Sequence, residues 1–101
     1  MDFQNQIINA IRARNQLKLN YEGEGYRIVF PHILYFSAVG SKLVDAYQIS
    51  GFSKHSEQVP GWRPFDISKI TELTILSDNF EVAQGYNPSN IDRYRTIITK
   101  I

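Results

Sequence analysis

The sequence contains no cysteine. That absence excludes disulfides, thiolate zinc sites and cysteine nucleophiles together. Excess charge is missing too: eleven Lys and Arg stand against ten Asp and Glu, a formal charge of +1. A net charge this small cannot draw nucleic acid in by long-range attraction, so such a partner would need a local basic patch. No apolar run approaches the ~20 residues that span a bilayer, and the first residues carry an acid and no basic cluster. No membrane contact is expected, and the chain is expected to be cytoplasmic.

What is present suits one small folded unit. The chain has 101 residues, of which 43% are hydrophobic and 13% aromatic, enough for a single modest core. Phe3, Ile7, Ala10 and Ile11 form an apolar stripe at helical spacing within residues 2–15. Asp2 is placed to cap that helix, while Arg12 and Arg14 suit the negative end of its dipole. From residue 16 the period falls to two: Leu17, Leu19 and Tyr21 alternate with polar residues, as in a half-buried strand. Glu22-Gly23-Glu24-Gly25 then supplies a turn into a second run at 26–30, which makes a hairpin. The G-x-G in that turn has no third glycine and no following helix, so it is not a dinucleotide fingerprint.

Pro31 requires a bulge, a bend or an edge, because it donates no ladder hydrogen bond. His32 follows at the bend. It either aims at a ligand or sits hydrogen-bonded in a corner. Residues 43–50 carry apolar side chains on both faces, which predicts a central strand covered by the helix on one side and by the rest of the sheet on the other. Residues 51–61 form a long polar connection that includes His55 and is expected to be mobile. Residues 63–67 and 72–77 read as two more strands, with a helical turn near Asp66-Ile67-Ser68. Beyond Gly85 the pattern fits either a short helix from Ser89 or a helical turn followed by a strand at 95–101. The β-branched run Thr96-Ile97-Ile98-Thr99 favours the strand.

No catalytic or metal constellation emerges. His32 and His55 lie on different elements, with no partner at ligand spacing. Ser50-Gly51-Phe52-Ser53 lacks the second glycine of a nucleophile elbow, and Glu22 and Glu24 sit in a turn where water solvates them. The chain is therefore expected to be no enzyme and to need no cofactor. Arg27, His32, Tyr35, Tyr47, Arg63 and Phe65 do interleave cations with aromatics along the strands. Displayed on a sheet, such residues meet phosphates and stack bases; turned inward, the aromatics are core and the arginines its rim.

Three segments carry a family resemblance: Val29-Phe30-Pro31-His32-Ile33-Leu34, then Leu43-Val44-Asp45-Ala46-Tyr47-Gln48-Ile49-Ser50-Gly51-Phe52-Ser53, then Trp62-Arg63-Pro64-Phe65 with Lys69-Ile70. In order and spacing they resemble WYL domains, and most closely the small stand-alone bacterial WYL-like proteins. The tripeptide that names the family is replaced here by Lys42-Leu43-Val44. The resemblance implies an α+β, mainly β fold: an N-terminal helix (1–15), a five-stranded antiparallel Sm-like (SH3-like) small barrel (16–80) and a C-terminal extension (81–101). It also implies a regulatory module that binds single-stranded nucleic acid or a nucleotide-like ligand. By position, the ligand face would hold His32, Tyr47, Gln48 and Arg63, with Ser50, Ser53 and Arg27 nearby. The rival expectation, from a different class, is a module that pairs with a partner protein or a second copy and binds no small ligand.

Overall fold

The computed structural model describes residues 3–54 and 58–101. It consists of one helix followed by an antiparallel sheet of six strands. The helix α1, Gln4–Ala13, buries Ile7, Ala10 and Ile11 against the sheet, and Phe3 just before it is buried as well. The apolar stripe thus does what its spacing predicts. Asp2, expected to cap the helix, lies outside the described residues. At the other end Arg14 adopts a left-handed conformation (φ 54°), and its N–H closes on the Ala10 and Ile11 carbonyls before the chain enters the first strand.

The strands are β1 (Asn15–Tyr21), β2 (Tyr26–Phe36), β3 (Lys42–Gly51), β4 (Gly61–Asp66), β5 (Ile70–Asn79) and β6 (Thr96–Lys100). They hydrogen-bond in the order β4-β3-β2-β1-β5, and β6 adds to β2. The β-branched run after Arg95 becomes a strand, as its composition favours, and adds a sixth to the five expected before it. The closed barrel is corrected: the sheet is open, with β4 and β5 as its two ends. They are nevertheless joined by only a single 3-10 turn, Ile67–Lys69, capped by the Asp66 carboxylate. A sheet whose opposite edges are linked by three residues has to curl until those edges approach at that corner.

The central strand is β2, not β3. One edge of β2 pairs with β3 over nearly its whole length. The other edge is shared, with β1 opposite 26–29 and β6 opposite 33–36. Pro31 falls between those two partners, and the β3 register shifts between Pro31 and Ile33, leaving His32 as the extra residue of a bulge. This missing donor is what allows β2 to change partners midway.

The core lies between α1 and one face of the sheet, and is built from Leu17, Leu19, Val29, Leu34, Val44, Ala46 and Phe65 beside the helix residues. The other face of β3 is partly buried, with Asp45 buried and Leu43, Tyr47 and Ile49 half-buried, and what covers it is not the rest of the sheet. Residues 80–95, the first part of the C-terminal extension, fold over it. Among the described residues, no helix is long and apolar enough to cross a membrane.

Candidate functional site

Phe30 and Ile33 of β2, Asp45 and Tyr47 of β3, and Trp62 of β4 share the face that the C-terminal segment covers; the register pairs Phe30 with Tyr47, Ile33 with Asp45 and Tyr47 with Trp62. Their rings form a connected cluster with those of the covering segment. Phe30 stacks on Phe80 at 4.9 Å between centroids, Trp62 meets Tyr47 edge-on at 5.5 Å, and Trp62 lies nearly parallel to Tyr86 at 6.2 Å. Aromatic pairs in such geometries contribute about 1 kcal/mol each beyond the area they bury. The Trp62 indole N–H donates to the Gln84 carbonyl at 2.9 Å. Gly85 (φ +89°) runs so close to that ring that a Cβ there would stand 3.0 Å from Nε1.

His32 is fully buried beneath this cluster, against Trp62, Phe80 and Tyr86. The Ala83 N–H donates to its Nε2 at 3.0 Å, so Nδ1 carries the proton and donates to the Phe30 carbonyl at 2.7 Å. The bulge therefore aims His32 at backbone. Of the two roles open to it in the sequence, the hydrogen-bonded corner is the one its contacts match. Burial is the main cause holding its pKa below the ordinary value, opposed by the Phe30 carbonyl and reinforced by Arg14. A depressed folded pKa gives stability that is whole above the unfolded histidine pKa of about 6.5 and falls as pH drops from there through the folded value. The urea midpoint is expected to fall between pH 8 and pH 5, and His32→Gln is expected to flatten that slope. An unchanged slope in the variant would contradict the assignment.

Asp45 holds the other half of the segment. It is only 5% exposed, and a carboxylate this buried needs donors on every side. It receives the Tyr35 hydroxyl at 2.8 Å, the Tyr94 hydroxyl at 2.6 Å, and the Arg93 guanidinium through Nε at 2.8 Å and Nη2 at 3.1 Å. Burial and then the Asp45 hydrogen bond push the Tyr94 phenol up to about 12, and the same two causes, in the same order, raise Tyr35. Arg93, bound through two of its three nitrogens, is raised above its already high value chiefly by Asp45. All three thus remain hydrogen-bond donors to the carboxylate at neutral pH.

Between this network and the aromatic cluster opens a cleft of about 270 Å³. Trp62, Tyr86 and Tyr94 supply its rings, Arg63 and Arg93 its cations, and Asn87 and Asn90 its amides, with Pro64, Gly85 and Asp45 completing the wall. Chemically the cleft offers flat apolar faces, guanidinium groups and amides that donate and accept. No group of three His, Asp or Glu that could hold a metal is found among the described residues.

The sequence-predicted ligand residues are not brought together as one face. Arg63 lines the cleft, with its guanidinium also hydrogen-bonded to the Trp62 and Gln58 carbonyls. Tyr47 and His32 support the cleft's Trp62 from behind. Gln48, by contrast, follows Val44 and Ala46 at two-residue spacing and faces the helix side, fully buried. There it accepts from Arg27 at 3.1 Å and donates to the Ser50 and Phe52 carbonyls. Arg27, 2% exposed, lies 5.3 to 5.8 Å from the ring centres of Tyr21, Phe52 and Phe65. Together Arg27 and Gln48 tie down the end of β3, with Ser50 exposed and Ser53 half-buried beside it. His55 lies outside the described residues.

Sequence reading missed Tyr86, Asn87, Asn90, Arg93 and Tyr94, which the fold brings back from the C-terminal extension. One signal was available. Asp45 sits in mid-strand among apolar residues, which demands donors from elsewhere in the chain. Comparisons with protein-family models, curated proteins and solved structures find no match.

Proposed function

We propose that this chain is a non-enzymatic, cytoplasmic ligand-binding module of the WYL-like kind, and that its cleft takes a nucleotide-like ligand, free or as one unit of a single strand. The observation that carries this reading is the cleft itself, where the Trp62 and Tyr86 rings stand beside the Arg93 guanidinium. Aromatic faces stack bases of any sequence, and the one Arg93 nitrogen that Asp45 does not take leaves a charged donor for a phosphate oxygen. A volume of about 270 Å³ lies just under the usual small-molecule range of about 300–1,000 Å³, which suits one nucleotide rather than two. The short link between β4 and β5, the bent β2 and the leading helix support a small-barrel relative, as the resemblance implies.

Trp62 is the chain's only tryptophan, so its emission reports on the cleft directly. Titration with nucleoside monophosphates and with a short single-stranded oligonucleotide is expected to quench it saturably. Arg93→Lys keeps a cation beside Asp45 but loses the planar fork, and is expected to weaken binding by about tenfold, or ~1.4 kcal/mol. For the oligonucleotide, one or two phosphate contacts give a log–log salt slope of about −0.7 to −1.4. Quenching that never saturates, or that Arg93→Lys leaves unchanged, would remove the cleft from the binding account.

A further inference from the structure

The two ends of the sheet are finished differently. β4 is six residues long and carries Pro64, two of the usual devices that stop an edge strand from recruiting another. β5 has neither. It runs for ten residues, contains no proline, pairs only with β1, and is exposed along most of its length. Among the described residues its backbone makes no hydrogen bond across its outer edge. The middle of the strand, Leu73-Thr74-Ile75-Leu76-Ser77, is uncharged and rich in strand formers, and Ile75 is 38% exposed.

We infer that the outer edge of β5 pairs antiparallel with β5 of a second copy, about a two-fold axis at Thr74. The occupant is argued from self-complementarity. A two-fold perpendicular to the sheet requires facing residues of equal parity, because opposite side chains in an antiparallel pair point to the same face. Centring on Thr74 sets Leu73 against Ile75 of the partner and Ile75 against its Leu73. The β1 register places both on the helix side of the sheet, since Leu19 pairs with Leu73 and Leu17 with Ile75. Four apolar side chains then meet across the axis, and Glu72 faces Leu76. Centring on Ile75 instead sets Glu72 against Asp78 twice, a like-charge contact that opposes pairing. Centring on Leu73 leaves Ile75 facing Thr71. The Thr74 register is therefore the one the strand's own pattern favours, and a formal charge of +1 opposes self-association little.

In strand order β5 is at the opposite end from the cleft strand β4, and it contributes no residue to the cleft wall, so the inference stands apart from the ligand reading. A single strand pair belongs at the small end of specific interfaces, and a Kd of about 10 μM is expected. Sedimentation equilibrium of the full chain at about 100 μM, ten times that Kd, should therefore find about four fifths of the chains in dimers, a weight-average mass about 1.8 times the 11.7 kDa chain mass. Ile75→Lys is expected to return it to monomer with an unchanged far-UV spectrum. Thr74→Lys, exposed on the other face, serves if the first variant does not fold. Backbone amides of 72–76 should exchange more slowly at high concentration than at low. A monomeric wild type, an assembly larger than two, or a dimer that survives a folded lysine variant would overturn the pairing. Nucleotide quenching of Trp62 should be the same in the variants, which separates this outcome from any failure of the cleft.

Discussion

Asp45→Ala is expected to destabilise the protein by about 4 kcal/mol, because it leaves buried donors facing an empty acceptor site. The Tyr35 hydroxyl is the most exposed to that loss, since Tyr35 is only 1% accessible and donates to Asp45 at 2.8 Å. Arg93 and Tyr94 lose their anchor at the same time. The effect should be local before it is global. Hydrogen exchange across residues 89–95 should accelerate in conditions where α1 and β1 remain protected. Urea unfolding measures the size, and a change under about 1 kcal/mol would mean that the carboxylate's hydrogen bonds are replaced by water at little cost. Because Asp45, Arg93 and Tyr94 also wall the cleft, the same variant should lose ligand quenching of Trp62 while still folded at low temperature.

Gly51→Ala is expected to cost at least about 3 kcal/mol, a drop of roughly 12–24 °C in melting temperature for a domain of this size. Gly51 has φ +98°, and a Cβ there would stand 2.3 Å from the Tyr26 carbonyl oxygen and 2.7 Å from the Arg27 Cα. Both obstacles are backbone of the paired strand, so neither yields without parting β2 from β3 where Arg27 and Gln48 hold that end. Gly40→Ala makes the control. Its φ is +87°, yet nothing lies within 4 Å of the added carbon, leaving only backbone strain of about 1 kcal/mol. Equal losses at the two positions would contradict the close-approach argument.

Legibility in the sequence followed periodicity. The stripe through Phe3, Ile7, Ala10 and Ile11, the alternation from Leu17 to Tyr21, the turn at Glu22 to Gly25 and the β-branched run after Arg95 all state their structure locally, and each forms as its pattern predicts. The continuity of β2 through Pro31 was not legible, because it depends on two different strands, β1 and β6, sharing one edge on either side of the proline. The cover on the outer face of β3 was hidden for a related reason. Residues 80–95 have no repeating apolar pattern, and what holds them is a set of single contacts: a backbone N–H to His32, an indole to a carbonyl, and a guanidinium to Asp45. Contacts between residues 22 to 51 positions apart leave no periodic trace. The same holds for the site. Arg63 reaches the cleft, while Arg27 and Gln48, equally polar and equally placed on strands, are consumed in fastening the end of β3.

The central claim is that a ligand enters between Trp62 and the C-terminal segment. An amide-shift titration of the nitrogen-labelled protein with a nucleoside monophosphate, repeated with a short single strand at low and physiological salt, tests it residue by residue. The account predicts saturable shifts at the Trp62 indole and at Gly85, Tyr86, Asn87, Asn90 and Arg93, with β5 and the exposed face of α1 unchanged. Shifts confined to other surfaces, or none with either ligand at either salt, would contradict it.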